Sequence, residues 1–196
     1  MKSILLLILL IGATSISYAE DKTITICSFE WPPHHGTTLK DGGYTADIIR
    51  AIFEPQGYKI TKLFLPWKRA LSFAKEGKEC DAITEIYFNN ERLQWFWYGS
   101  PYSLHKVYII GLKSHPIKNY NSLQELVNFS FGHNRGGSLS REFDKADYLT
   151  KVETMGYESG LKMLLKKRID FFVSAWSVAL YETQKIGQQD KIHPIG

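Results

Sequence analysis

Apolar and polar positions alternate along the chain in short blocks that read as strands, with segments of helical spacing between them. Thr23-Ile24-Thr25-Ile26-Cys27 has a period of two and is stopped by Trp31-Pro32-Pro33-His34-His35-Gly36. Gly42-Gly43-Tyr44 opens a segment in which Asp47 to Phe53 is spaced as a helix, ending near Pro55 and Gly57. Tyr58 to Leu65 predicts a strand. Pro66 sets the first turn of a helix from Trp67 to Lys75, and Gly77 stops it. Asp81-Ala82-Ile83-Thr84 predicts a short buried strand. This order of strand and helix, with short connections, predicts a parallel sheet covered by helices on both faces.

A second block repeats the scheme. Lys106 to Leu112 is strongly apolar, and Ser122-Leu123-Gln124-Glu125-Leu126 has the form of a capping-box helix start. Phe129 to Gly132 predicts a strand, and Arg135-Gly136-Gly137-Ser138 leads into a helix through Phe143. Tyr157 to Lys167 predicts a helix with Leu161, Leu164 and Leu165 on one face, and Ile169 to Val173 a buried strand. The expectation is a two-lobed α/β protein, with residues 20–105 as lobe one and 106–196 as lobe two. Ligands of such sheets bind beyond the carboxyl ends of the strands, here the cleft between lobes.

The first 19 residues stand apart. Lys2 makes a basic start, Ile4 to Ile11 is an unbroken apolar run, and Ser17-Tyr18-Ala19 supplies small residues before a cleavage point. This predicts a secretory signal peptide cut after Ala19, because the run is too short for a comfortable membrane span. The product is then periplasmic. Net charge is only +4, with no run of five like charges, which argues against a nucleic-acid partner. The chain is 44% hydrophobic, enough for a packed core without a disulfide framework, since it has only two cysteines. Cys27 ends one predicted strand and Cys80 begins a neighbouring parallel one. They are expected to lie more than about 7 Å apart and to stay unpaired. The six histidines show no chelating spacing, so neither a metal nor another cofactor is expected.

The motifs then converge. Trp31-Pro32-Pro33, Gly43-Tyr44 with Asp47-Ile48, Gly57-Tyr58, Leu65-Pro66-Trp67-Lys68-Arg69-Ala70, Gly77 with Asp81-Ala82, Glu91-Arg92, Ser100-Pro101-Tyr102, Gly136-Gly137-Ser138 and Arg168-Ile169-Asp170 occur in this order. In that order and spacing the chain resembles the family 3 extracellular solute-binding proteins, periplasmic partners of polar amino-acid ABC importers. The resemblance runs from Ile24 to about Leu180. It implies a type II periplasmic-binding-protein-like fold, each lobe a parallel-rich sheet flanked by helices. It further implies a monomer that closes on a small solute and presents it to an inner-membrane permease.

The resemblance also assigns residues. Trp31 stands where an aromatic stacks on the ligand's side chain; the alternative is a core Trp beside a Pro-Pro turn. Trp67, opening a helix at the cleft edge, divides in the same way. Arg92 matches the arginine whose two-pronged guanidinium grips a ligand carboxylate, against a surface ion pair with Glu91. Gly137 and Ser138, placed before a helix, would offer backbone N–H groups to the same carboxylate, against a plain turn with a Ser cap. Arg135 adds positive charge beside them.

Amino-acid binders carry an Asp after the strand that follows Arg168-Ile169-Asp170, to pair with the ligand's α-ammonium. Here that place is Ser174-Ala175-Trp176, without a carboxylate, and Asp170 reads as structural. Glu85 or Glu30 in lobe one is the substitute holder of a cationic group, or else a solvated acid; Trp176 would add a third aromatic wall. The expected function is therefore binding of a small polar or carboxylate-bearing solute, without catalysis. Two alternatives stay open: a dehydratase of the same fold acting on a cyclic carboxylate, with Glu30 or Glu85 as acid or base, and a ligand sensor. Family members continue past lobe two and finish lobe one with a strand and helices. This chain stops at His193-Pro194-Ile195-Gly196, where that return would begin. The expectation is a short or divergent member with impaired hinge closure, or an incomplete sequence, with apolar surface uncovered on lobe one.

Overall fold

The protein is described by a computed structural model covering residues 22–195. The proposed signal peptide lies outside the described residues. Two sheets are joined by the segment between Ile83 and Val107. The first has the order β2-β1-β3 and is wholly parallel: β1 is Lys22–Ser28, β2 Tyr58–Phe64 and β3 Ala82–Ile83. Helix α1, Tyr44–Phe53, precedes β2, and α2, Trp67–Glu76, precedes β3. Alternation along β1 sends Cys27 towards α2, where it packs with Ala70, Leu63 and Ile83. Gly77, left-handed at φ 61°, ends α2 by donating its N–H to the Ala74 and Phe73 carbonyls, the closure foreseen for it.

The second sheet has the order β6-β5-β7-β4-β8. Its strands are β4 Val107–Leu112, β5 Ser130–Asn134, β6 Thr150–Thr154, β7 Phe171–Ala175 and β8 Ile192–Ile195. Strands β5, β6 and β7 are parallel, while β4 runs antiparallel to β7 and β8. Both faces are covered, and period two decides what goes where. Ile109, Phe171, Val173 and Ile195 join one core; Ile110, Phe172 and Ile192 join the other. Helices α4, Tyr157–Leu165, and α5, Trp176–Gln184, cover the latter, burying Leu161, Leu164 and Ala179. Gly160 in α4 lies directly on the Phe172 ring, so close that a Cβ would clash with it.

Four expectations need correction. Cys27 and Cys80 form a disulfide with Cα atoms 5.5 Å apart. β3 starts only at Ala82, and the chain bends through Glu79 at φ 61°, so Cys80 curls over β1 instead of extending away along a strand. The helix expected from Ser138 starts later: α3 is the five residues Arg141–Lys145, capped by Ser140, whose Oγ accepts from Phe143 N. The capping-box start at Ser122 makes only a 3-10 turn, Leu123–Leu126. Residues 192–195, read as the start of a return to lobe one, are instead the edge strand β8, with Pro194 opposite Ile110.

Lobe one also exposes apolar side chains along the connecting segment. Phe88 is 64% exposed, Trp97 fully exposed and Leu104 94%.

Candidate functional site

The lobes meet where β1, α2 and the connecting segment face β5, β7 and α5. Phe29, Trp31 and Trp67 from the first lobe pack with Ala175 and Val178 from the second, forming one apolar cluster across the divide. Polar bonds cross it as well. Trp67 Nε1 donates to the Gly136 carbonyl at 2.8 Å, and Asn89 Nδ2 donates to Ser138 Oγ at 3.2 Å. His34 Nε2 shares a hydrogen bond with Ser177 Oγ at 2.8 Å.

Two cavities occupy the interface. The inner one, about 30 Å³, is lined among others by Trp31, Trp67, Glu85 and Arg92 from lobe one and by Gly137 and Ser138 from lobe two. Six of the residues singled out in the sequence therefore meet at one place. That volume admits about one water molecule, so a larger guest at this depth requires the lobes to part. The outer cavity, about 400 Å³, opens at the mouth, where Glu91, Arg92 and Trp95 face Ser138, Asp144 and Lys151. This matches the size of small-molecule sites. Arg92, Gly137 and Ser138 line both.

Arg92 sits on the 3-10 turn Asn90–Gln94, whose cap is Asn89: its side chain accepts from Glu91 N at 2.8 Å. Arg92 is only 6% exposed; its guanidinium donates to the Tyr87 carbonyl at 2.9 Å and lies 5.5 Å from the Trp67 ring centre. Burial presses its pKa down, while Tyr98, Asp144 and Glu91 pull it back up. The group stays charged, and its five N–H donors exceed what Tyr87 takes. Trp31 is 2% exposed, and its Nε1–H has no protein partner among the described residues; nor does the Tyr87 hydroxyl, also on the inner cavity. Burial, then the charges of Tyr157 and Glu85, raise the Tyr87 pKa, so it stands there as a neutral donor.

Glu85 is buried and already engaged. Thr45 Oγ1 donates to Oε1 at 2.6 Å, and His105 Nε2 lies 3.6 Å from Oε2. The carboxylate thus ties the start of α1 to the connecting segment, from a left-handed backbone at φ 54°. Beside it, three imidazoles, His34, His35 and His105, stand around the Trp31 ring. His34 and His105 have ring centres 4.2 Å apart, and Trp31 lies 4.6 Å from His34 and 4.7 Å from His105. Burial, followed by the charge of His105, lowers the His34 pKa to about 4. Burial, Lys62 and the two other imidazoles lower His35 to about 3.

The remaining residues fall elsewhere. Trp176 lines neither cavity; it is the first residue of α5 and packs on the core around Ile110 and Phe172, so it does not form a third aromatic wall. Glu30 is turned to the surface, accepting from Thr37 N and Oγ1. Arg135 pairs with Glu153 at 2.9 Å. Asp170 accepts from Ser130 N and Oγ, fastening β5 beside β7, which is the structural role read for it. Gly137 and Ser138 do line the cleft, but they do not open a helix: α3 starts only at Arg141, capped by Ser140. Ser138 Oγ donates to Asp144 Oδ2 at 2.8 Å, so the local partner of this turn is a carboxylate and not a ligand anion. Among the described residues there is no group of three or more His, Cys, Asp or Glu placed to hold a metal, and no helix long and apolar enough to cross a membrane.

Asn89, Tyr87 and Asp144 were not singled out in the sequence. Asn89 carried a signal, since Asn two residues before Glu91 is a helix-cap pattern. Asp144 carried none, being an acid on a short exposed helix.

No family model matches the sequence, and no curated protein matches it. Solved structures do match in three dimensions. A histidine kinase sensor domain with similarity to periplasmic binding proteins superposes with a TM-score of 0.78 at 20% identity, over 89% of this chain and 76% of that one. An ancestral arginine-binding protein bound to arginine gives 0.75 at 19%, over 89% and 78%. An ABC uptake transporter substrate-binding protein from Streptococcus pneumoniae with bound histidine gives 0.72 at 19%, over 87% and 73%. At these identities the likeness establishes the fold: the chain has the two-lobed architecture of type II periplasmic binding proteins.

Proposed function

We propose that this protein binds a small polar solute, an amino acid or a close relative, in the cleft between its lobes. The observation that carries this reading is Arg92: a buried guanidinium with donors to spare, set where the inner cavity meets the mouth and facing the Gly137-Ser138 turn of the other lobe. Such a fork matches a carboxylate in two parallel hydrogen bonds, a geometry that a Lys ammonium does not offer. Trp31 Nε1 and the Tyr87 hydroxyl offer further donors to a guest that parts the lobes enough to reach them. Closure of one lobe on the other then removes the guest from water, the hinge movement of two-lobed binding proteins.

The amino-acid class draws support from structural neighbours bound to arginine and to histidine. Binding without catalysis is part of the same proposal. Export to the periplasm is supported by the disulfide, which persists in oxidising compartments, and by the apolar start of the sequence. Delivery to an ABC permease is the role we favour. A ligand-sensing role is the second reading, favoured by the likeness to the histidine kinase sensor domain.

Thermal unfolding with a panel of amino acids, amines and small carboxylates tests the reading. A ligand at a hundred times its Kd adds about 2.7 kcal/mol, a shift of several degrees. At least one amino acid is expected to raise the midpoint this way. A flat response to every compound at millimolar concentration overturns it.

A further inference from the structure

A polar group that lines neither cavity also spans the lobes. His34, on the loop after β1, is only 7% exposed. Its Nε2 shares the 2.8 Å bond with Ser177 Oγ in the first turn of α5, and its Nδ1 shares one of 3.0 Å with the Tyr44 hydroxyl at the start of α1. The ring lies 4.2 Å from that of His105 and 4.6 Å from that of Trp31, which belongs to the apolar cluster holding Val178 of α5. A charge on this ring has little to meet it. The titratable groups around it are His35 on its own loop, Tyr44 on α1, and His105 and Glu85 on the connecting segment, with Tyr102 beside Glu85 and the charge of Lys62 on β2 bearing on His35. The first turn of α5, Trp176-Ser177-Val178-Ala179, carries no charged side chain. Among the described residues, Glu85 is the one acid in contact with the group, and it is bonded to Thr45 and lies 3.6 Å from His105. That carboxylate matches an imidazolium on His105; a second one on His34 has no acid and faces the first. The Ser177 and Tyr44 hydroxyls can both accept from a doubly protonated ring, so what opposes the proton is buried charge, not a lost hydrogen bond.

We propose that His34 and Ser177 form a pH-sensitive latch, which keeps the lobes together at neutral pH and lets them part in acid. Parting withdraws α5 from His34 and Trp31 and admits water to the ring, so the open form takes up the proton that the closed form refuses. Burial, followed by the charge of His105, holds His34 at about 4 in the closed form, against 6.5 for an exposed imidazole. The closed form is therefore fully favoured above the higher value and loses ground as the pH falls towards the lower one. The proposal concerns the two lobes and not the identity of the solute, so it stands or falls without the Arg92 reading. For any solute that binds the closed form, acid weakens capture by the same step.

Fluorescence energy transfer between the lobes tests this on the protein alone. Dyes on Lys59→Cys and Asp147→Cys, exposed positions on lobes one and two, report the separation, since the two native cysteines are joined to each other. Between about pH 7.5 and about pH 5 the ratio of open to closed protein is expected to rise about tenfold, with the circular dichroism of the folded chain unchanged. In His34→Gln, which keeps a neutral hydrogen-bonding side chain, the rise is expected to shrink to less than about twofold. Ser177→Ala, on lobe two and outside the imidazole group, is expected to move the midpoint of opening towards neutral pH; if His34→Gln does not fold, this midpoint decides. A separation that does not change with pH overturns the inference. So does a rise that survives in His34→Gln, a midpoint that Ser177→Ala leaves in place, or an opening that merely follows loss of the folded signal.

Discussion

Glu85 shows how much a single side chain can be asked to hold. A non-glycine residue at φ 54° costs on the order of 1 kcal/mol, and it persists only if its surroundings determine it. Here they do, through the bond from Thr45 and the contact with His105. Replacing Glu85 by Ala leaves the buried Thr45 hydroxyl without this acceptor, and urea unfolding is expected to show a loss of about 1–3 kcal/mol. An unchanged urea midpoint contradicts that assignment. The Cys27–Cys80 bond constrains residues 53 apart in sequence. Its removal by Cys80→Ser is expected to cost about 2–5 kcal/mol, and the unreduced, denatured protein is expected to titrate no free thiol. Trp31 and Trp67 were readable because each sits beside Pro at a strand end, and Arg92 because Glu91-Arg92 fell in the order of motifs that carried the resemblance. The disulfide was not, since it depends on a bend at Glu79 that no residue pattern announced.

Among the elements, period two and helical spacing identified the strands and helices whose apolar faces are buried, β1, β2, β4, β5 and β7 among them. They missed β6 because Thr150-Lys151-Val152-Glu153-Thr154 is a polar edge strand with one aliphatic residue, and β8 because Pro194 reads as a stop. α3 starts late because Asp144 turns back on Ser138 and Leu139, leaving Ser140 to cap the helix. The close seat of α4 on β7 gives a direct test. Gly160→Ala drives a methyl into the Phe172 ring and is expected to destabilise the protein by about 1–3 kcal/mol, measured by denaturant unfolding; a neutral result contradicts the packing. α5 reaches lobe one through the Ser177–His34 bond, and His34 is held neutral, its pKa about 4 against 6.5 when exposed. Between those values the open or unfolded chain binds the proton that the closed form refuses. Stability is therefore complete above about pH 6.5 and falls as the pH drops towards 4, with His35 and His105 shifted the same way. A pH series of thermal midpoints is expected to show this slope, and His34→Gln to flatten it; identical slopes contradict it.

At the scale of the molecule, two lobes are fastened by a shared apolar cluster and three polar bonds, with room for a ligand at the mouth and almost none within. The fold and the two-lobed plan were visible in the sequence because each sheet repeats the same order of strand, turn and helix. Which charges oppose each other across the cleft was not, because that depends on how Asp144 and Arg92 come to face one cavity from elements far apart in the chain. The central claim is that Arg92 grips the carboxylate of a small solute between the lobes. Calorimetric titration of an amino-acid panel into the unaltered protein and Arg92→Lys tests it most directly. The account predicts one-to-one binding of at least one amino acid tighter than about 1 mM, weakened tenfold or more in the variant. Equal affinity in the two proteins, or no binding to either, would contradict it.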